Sequence, residues 1–186
     1  MGSRPCPERP PGAPAELFLV VLGGRVPGCN LELHDVRFVA GATIEATLPL
    51  LRRQWFGSRR GLHIDSYVAV RHVDGYRVEL RPERWAGAER LYFVNLGGYD
   101  PGQLAEQHRF GLEVAPSPQA AVVQAKRRWQ AQVRQRHRDD LVAVDDCLTV
   151  DQLSLFDGLS LHVHLTPESQ LGGEPLVPDW FGYRLI

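Results

Sequence analysis

The chain has 186 residues, enough for one domain or two small lobes that share a core. Hydrophobic residues make up 44%, which excludes wholesale disorder. Lys+Arg (21) and Asp+Glu (22) nearly cancel, and this balance argues against a nucleic-acid-binding protein. No apolar run approaches the ~20 residues that span a bilayer, so no membrane association is expected.

Residues 1–15 are Pro-rich, lack the apolar core of a secretory signal, and are expected to form a disordered tail. Cys6, Cys29 and Cys147 are sparse and odd in number, which suits reduced thiols in a cytoplasmic protein. The apolar run Leu17–Leu22 reads as a buried strand stopped by Gly23-Gly24. A Pro-Gly loop follows, then a strand near 33–40 and a helix with Leu48, Leu51 and Trp55 on one stripe. Val68–Val70 reads as another buried strand. Asp74-Gly75 is a hairpin turn, and residues 76–80 form its return arm.

The whole pattern then repeats. Residues 17–34 and 91–108 match at 9 of 18 positions at an offset of 74. This duplication is the strongest feature of the chain. It predicts unit 1 at 16–82, a linker at 83–90, unit 2 at 91–167, and a tail at 168–186 that packs on the body. In unit 2, Asp100-Pro101 suggests a short helix over 101–107. Ser117-Pro118 caps a second helix with Val122, Ala125 and Trp129 on one stripe. Without a gap, the same offset carries His63 and Asp65 onto His137 and Asp139, and Val68–Val70 onto Val142–Val144. The expected fold is α+β: two β-β-α-β(-β) units related by a pseudo-twofold axis, with a mixed sheet and two long helices.

The strings LGGxxPGxxxExHD (22–35), HIDSY (63–67), VDGYRVEL (73–80) and LYFVNLGGYDPxxxxExH (91–108) resemble the bacterial family called domain of unknown function 1543, in its two-copy form. The resemblance covers about 17–150. It implies the duplication and a bacterial origin, and carries no catalytic residues with it.

Candidate chemistry therefore rests on the residues. Glu32, His34, His63 and Asp65 form one set of imidazoles and carboxylates; Glu106, His108, His137 and Asp139 form its expected partner set. Three roles fit these residues. A divalent transition metal such as Zn, Mn or Fe would sit on two imidazoles and a carboxylate. A general acid–base pair would use His34, His63 and Asp65, with His108, His137 and Asp139 in the second copy. A structural lock would satisfy buried polar groups in both copies. Gly23, Gly24, Gly28, Gly97, Gly98 and Gly102 form candidate ligand loops, since exposed backbone N–H groups can cradle an anion. The arginine-rich stretch 126–138 reads as a solvated helix end, and His162 and His164 as the solvent face of a late strand. No phosphate-binding GKS or GKT, nucleophile-elbow GxSxG or zinc-protease HExxH motif is present. Two functions remain open: a cytoplasmic module that binds a small ligand or a protein partner, or a small metal-dependent or His/Asp acid–base enzyme with one site per repeat.

Overall fold

The computed structural model describes residues 14–99, 102–132, 143–168 and 176–186. Unit 1 runs β1 (Glu16–Gly24), β2 (Leu33–Gly41), α1 (Ile44–Gln54), β3 (His63–Ala69), β4 (His72–Val73) and β5 (Tyr76–Arg81). Unit 2 runs β6 (Arg90–Gly98), β7 (Gln107–Ala115), α2 (Pro118–Gln132), β8 (Ala143–Thr149), β9 (Gln152–Ser154) and β10 (Ser160–Pro167). β11 (Trp180–Leu185) follows.

The runs LFLVVL and LYFVNL lack the alternation of a half-exposed strand because both of their faces are covered. Phe18, Val20 and Leu22 point to α1, where Ile44, Leu51 and Trp55 complete a small core. Leu17 and Leu19 point the other way, into a core shared with Leu91, Phe93, Val114 and Val163 of unit 2. In β6 the same parity holds: Tyr92, Val94 and Leu96 face Ala121 and Ala125 of α2, and Leu91 and Phe93 face the shared core. Each helix therefore covers the outer face of its own sheet, and the inner faces meet between the units.

The second helix begins at the expected cap, where Ser117 Oγ accepts from Ala120 N; the first is capped by Thr43, whose Oγ1 accepts from Ala46 N. Pro49 lies inside α1. No helix forms over 102–107; this stretch is irregular up to the start of β7, so the expected short helix there is corrected. Asp74 and Gly75 both have positive φ, at 52° and 79°, which is the two-residue turn that twists a β4–β5 hairpin tightly.

The strands form three sheets, ordered β11-β3-β1-β2, β4-β5-β10-β9 and β7-β6-β8. Every hydrogen-bonded pair of strands is antiparallel among the described residues. The mixed sheet expected from the β-α-β passage does not form, because β1 lies between β2 and β3, as β6 lies between β7 and β8. The helix crosses over a strand instead of joining neighbours.

The registers of β1 and β6 agree in detail, including a bulge at Val21/Leu22 and at Asn95/Leu96. They also correct the ungapped repeat. Gly23 pairs with His63, but its equivalent Gly97 pairs with Ala143, an offset of 80 instead of 74. The six extra residues of unit 2 are four in α2, which has 15 residues against 11 in α1, and two in the connection to β8. The counterparts of His63 and Asp65 are therefore Ala143 and Asp145, while His137 and Asp139 lie outside the described residues. The expected pairing of Val142–Val144 with Val68–Val70 fails for the same reason: Val144 is exposed, and buried Val150 is the counterpart of Val70.

Two further expectations change. His164 is buried instead of facing solvent, because the linker folds over β10: Nε2 of His164 lies 2.7 Å from the Glu83 carbonyl and its ring meets Trp85 edge-on. Arg128 is not a solvated helix-end cation; its guanidinium reaches Asp74 of the β4–β5 turn.

Candidate functional site

The β1–β2 and β1–β3 registers bring Gly23 between His34 and His63. Glu32 precedes β2, His34 stands near its start, and His63 and Asp65 lie two residues apart on one face of β3. These four side chains converge over Gly23. His63 is buried, whereas Glu32 and His34 are exposed, so the cluster has one deep imidazole and an open rim.

Asp65 holds both imidazoles. Its Oδ2 lies 3.1 Å from His34 Nε2 and its Oδ1 lies 3.2 Å from His63 Nε2. On its other edge, His63 Nδ1 lies 2.9 Å from the Gly61 carbonyl, with Glu32 Oε1 at 3.7 Å. A carbonyl only accepts, so Nδ1 donates to Gly61. The Nε2 lone pair then faces a carboxylate, and this contact needs a proton or a cation. Ligand atoms of Glu32, His34 and His63 all lie within 4.8 Å of one another. Two ligands of tetrahedral zinc stand about 3.3 Å apart, given bonds of about 2.0–2.1 Å. The imidazole–Asp65 spacings match that scale, and the His63–Glu32 spacing is longer, at 3.7 Å.

Gly23 makes this packing possible. A Cβ there would collide with Nε2 of His63 and stand 3.1 Å from Asp65 Oδ2. The expected ligand-loop role for the Gly-Gly pairs is thereby corrected. Gly23 and Gly24 belong to β1, and Gly97 and Gly98 to β6, within the paired register. Only Gly28 and Gly102 of the six candidates lie in loops.

Sequence reasoning missed the cover on His63. Tyr183 of β11 lies tilted against its ring at a centroid distance of 4.1 Å. β11 reaches that place by pairing with β3, with Leu185 opposite His63. The aromatic string near the C-terminus was the available signal, but nothing in it specified β3 as the partner.

The second set is different. His108 Nδ1 lies 2.9 Å from Asp145 Oδ2, and its Nε2 lies 3.7 Å from Glu106 Oε2. No imidazole stands where His63 stands in unit 1, since that place belongs to Ala143. The two carboxylates close over Gly97 instead: its Cβ would lie 2.6 Å from Glu106 Oε1 and 2.7 Å from Asp145 Oδ2. Asp145 was hidden from the sequence by the chance H-x-D at 137–139.

The architecture defines an α+β protein built from two non-identical repeats, each with a carboxylate–histidine corner over a glycine. A family model described as Domain of Unknown Function (DUF1543) matches residues 29–80 and 103–153. The chain belongs to that family, in tandem form. Both corners fall within the matched residues. The chain is also similar to a protein described as Il1583 from Idiomarina loihiensis, whose crystal structure aligns at 40% identity with a TM-score of 0.67 over 91% of this chain and 96% of that one. No curated protein matches. No helix among the described residues is long and apolar enough to cross a membrane.

Proposed function

We propose that the protein is a metal-dependent small-ligand-binding module whose first repeat holds one divalent transition metal. Glu32, His34 and His63 would ligate the ion, with Asp65 beside Nε2 of both imidazoles to balance its charge. The Gly61 carbonyl, which accepts from Nδ1 of His63, would fix that ring as a ligand. Three protein ligands leave a position for an oxygen-bearing small molecule at the exposed rim. The observation that carries this reading is the convergence of three ligating groups and Asp65 over a glycine that admits no side chain.

An enzyme with one equivalent site per repeat receives less support, because Ala143 removes an imidazole from the second. On this reading unit 2 keeps the corner as a carboxylate-rich remnant. The units would be related by a pseudo-twofold axis through the β5–β10 pair; the palindromic sheet order β4-β5-β10-β9 supports it. Free Cys29 and Cys147 suit a cytoplasmic location.

Elemental analysis of the purified chain after incubation with Zn or Mn tests the assignment. One equivalent per chain is expected, lost in His63→Ala and in Gly23→Ala, and kept in His108→Ala. No metal uptake would refute it. Two equivalents, one of them lost with His108, would restore the two-site enzyme reading.

A further inference from the structure

A second candidate site lies between the units and shares no residue with the metal corner. A cavity of about 360 Å³ opens there, within the range that holds small organic ligands. Its apolar lining includes Leu19, Val21, Val94 and Leu96 from the two central strands and Phe110 and Trp129 from unit 2. One charged group in it is deeply buried. Glu113 of β7 is 2% exposed, and its Oε2 has no hydrogen-bond partner.

The charges around Glu113 do not balance locally. Arg128 Nη2 lies 3.1 Å from Glu113 Oε2, but its hydrogen bond goes to Asp74 Oδ1 at 2.6 Å. Asp74 is itself fixed by the Val114 N–H, which donates to Oδ2 at 2.8 Å. One guanidinium is thus shared by two carboxylates, and the more buried one is the less well served. A buried carboxylate in that position takes up a proton or a second cation. Burial, with a smaller push from Asp74, raises the Glu113 carboxyl to about 7 against the lowering effect of Arg128. His72 and Arg109 also line the cavity.

We propose that this cavity binds a small organic amine, its ammonium group paired with Glu113 and its apolar body against Phe110, Trp129 and the central strands. The ammonium supplies the missing donor and the missing charge. The Phe110 ring suits a cation and a hydrocarbon alike, and Trp129, which already holds the Arg109 guanidinium on its ring, offers apolar surface. An anionic ligand would face two carboxylates, with the Arg128 guanidinium engaged by both and Arg109 lying over the Trp129 ring.

Isothermal titration with phenethylamine, 2-phenylethanol and 3-phenylpropionate at pH 8 tests this. The amine should saturate the protein, the alcohol should bind at least about tenfold more weakly, and the acid should not bind, which reflects a charge-assisted contact. Amine affinity should rise between pH 6 and 8 as Glu113 ionises. Glu113→Gln should weaken the amine at least about tenfold and abolish that pH dependence. If that variant does not fold, Gly111→Leu decides. Gly111 lines the cavity and its Cβ position is open space, so leucine should fill the site and abolish binding in a folded protein. Equal binding of acid and amine, no saturation by about 10 mM amine, or unchanged binding in these variants would overturn the proposal.

Discussion

A single missing side chain separates the two corners. His63 is among the largest fully buried side chains, and its counterpart is the methyl group of Ala143. The consequence is electrostatic. Unit 1 sets Asp65 between two imidazoles, and unit 2 sets His108 between two carboxylates. The first arrangement offers a cation two imidazoles; the second offers one, flanked by two carboxylates that leave that corner net acidic. Glu113 is the other residue whose setting has a measurable result. Its carboxyl stands at about 7 when folded and at 4.5 by ordinary chemistry. The folded pKa is raised, so the folded state binds the extra proton. Stability is therefore full below about pH 4.5 and is lost progressively as pH rises through 7. Urea unfolding at pH 5 and pH 8 should show wild type losing up to about 3 kcal/mol that Glu113→Gln keeps. A difference that stays flat with pH would mean that Arg128 keeps the carboxylate ionised throughout.

At the scale of elements, β3 and β8 occupy the same place in their sheets and meet different fates. β3 is covered by β11, so Ile64 and Tyr67 are buried. β8 remains an edge, with Val144 and Leu148 exposed. Asp145 and Asp146 are exposed on it as well, and charged side chains on an edge discourage pairing with another chain. β3 has less such protection: its burial was built around a partner strand. Ending the chain after Pro178 should therefore cost on the order of 3 kcal/mol, roughly 10 °C in Tm, and produce dimers or larger species by light scattering. An unchanged Tm would show that β11 contributes little. This difference between edges was not legible. Strand existence was, since the apolar runs, the Gly-Gly stops and the Asp-Gly turn are local signals. Pairing partners depend on contacts more than a hundred residues apart, which no local pattern encodes.

The same division applies to the repeat. Residues 17–34 found their equivalents because glycine, glutamate and histidine recur at fixed spacing. The six extra residues in α2 and its connection to β8 escaped notice because helix ends and loops accept insertions freely, and H-x-D with V-A-V recurred there by coincidence. The spacing therefore brought Glu32, His34, His63 and Asp65 together, and Glu106 with His108, while the last two members of the second set were displaced onto His137 and Asp139.

For the molecule as a whole, the largest core is the one between the units. It contains Leu17, Leu19 and Val78 from one and Leu91, Phe93, Val163 and Leu165 from the other. The β5–β10 pair joins the middle sheet across the same boundary. Neither unit can bury this face alone, and a unit of about 65 residues has little other core to spare. Residues 14–82 expressed alone should give the narrow, poorly dispersed NMR spectrum of an unfolded chain, or a dimer that reuses the exposed face. Coexpression with residues 83–186 should restore a dispersed spectrum. A well-dispersed monomeric spectrum from the first fragment would show that the shared core is dispensable.

The pairing of β11 with β3 also sets an order of events during synthesis. The strand that completes the first unit's sheet, and the tyrosine that covers His63, emerge only after the whole second repeat has been made. About 110 residues separate the two strands, which at ordinary rates of translation is on the order of ten seconds. Through that interval the nascent first repeat carries a bare strand edge beside its histidines. The chain must cross this window without pairing with a neighbour on the same message, and a slower ribosome would widen it.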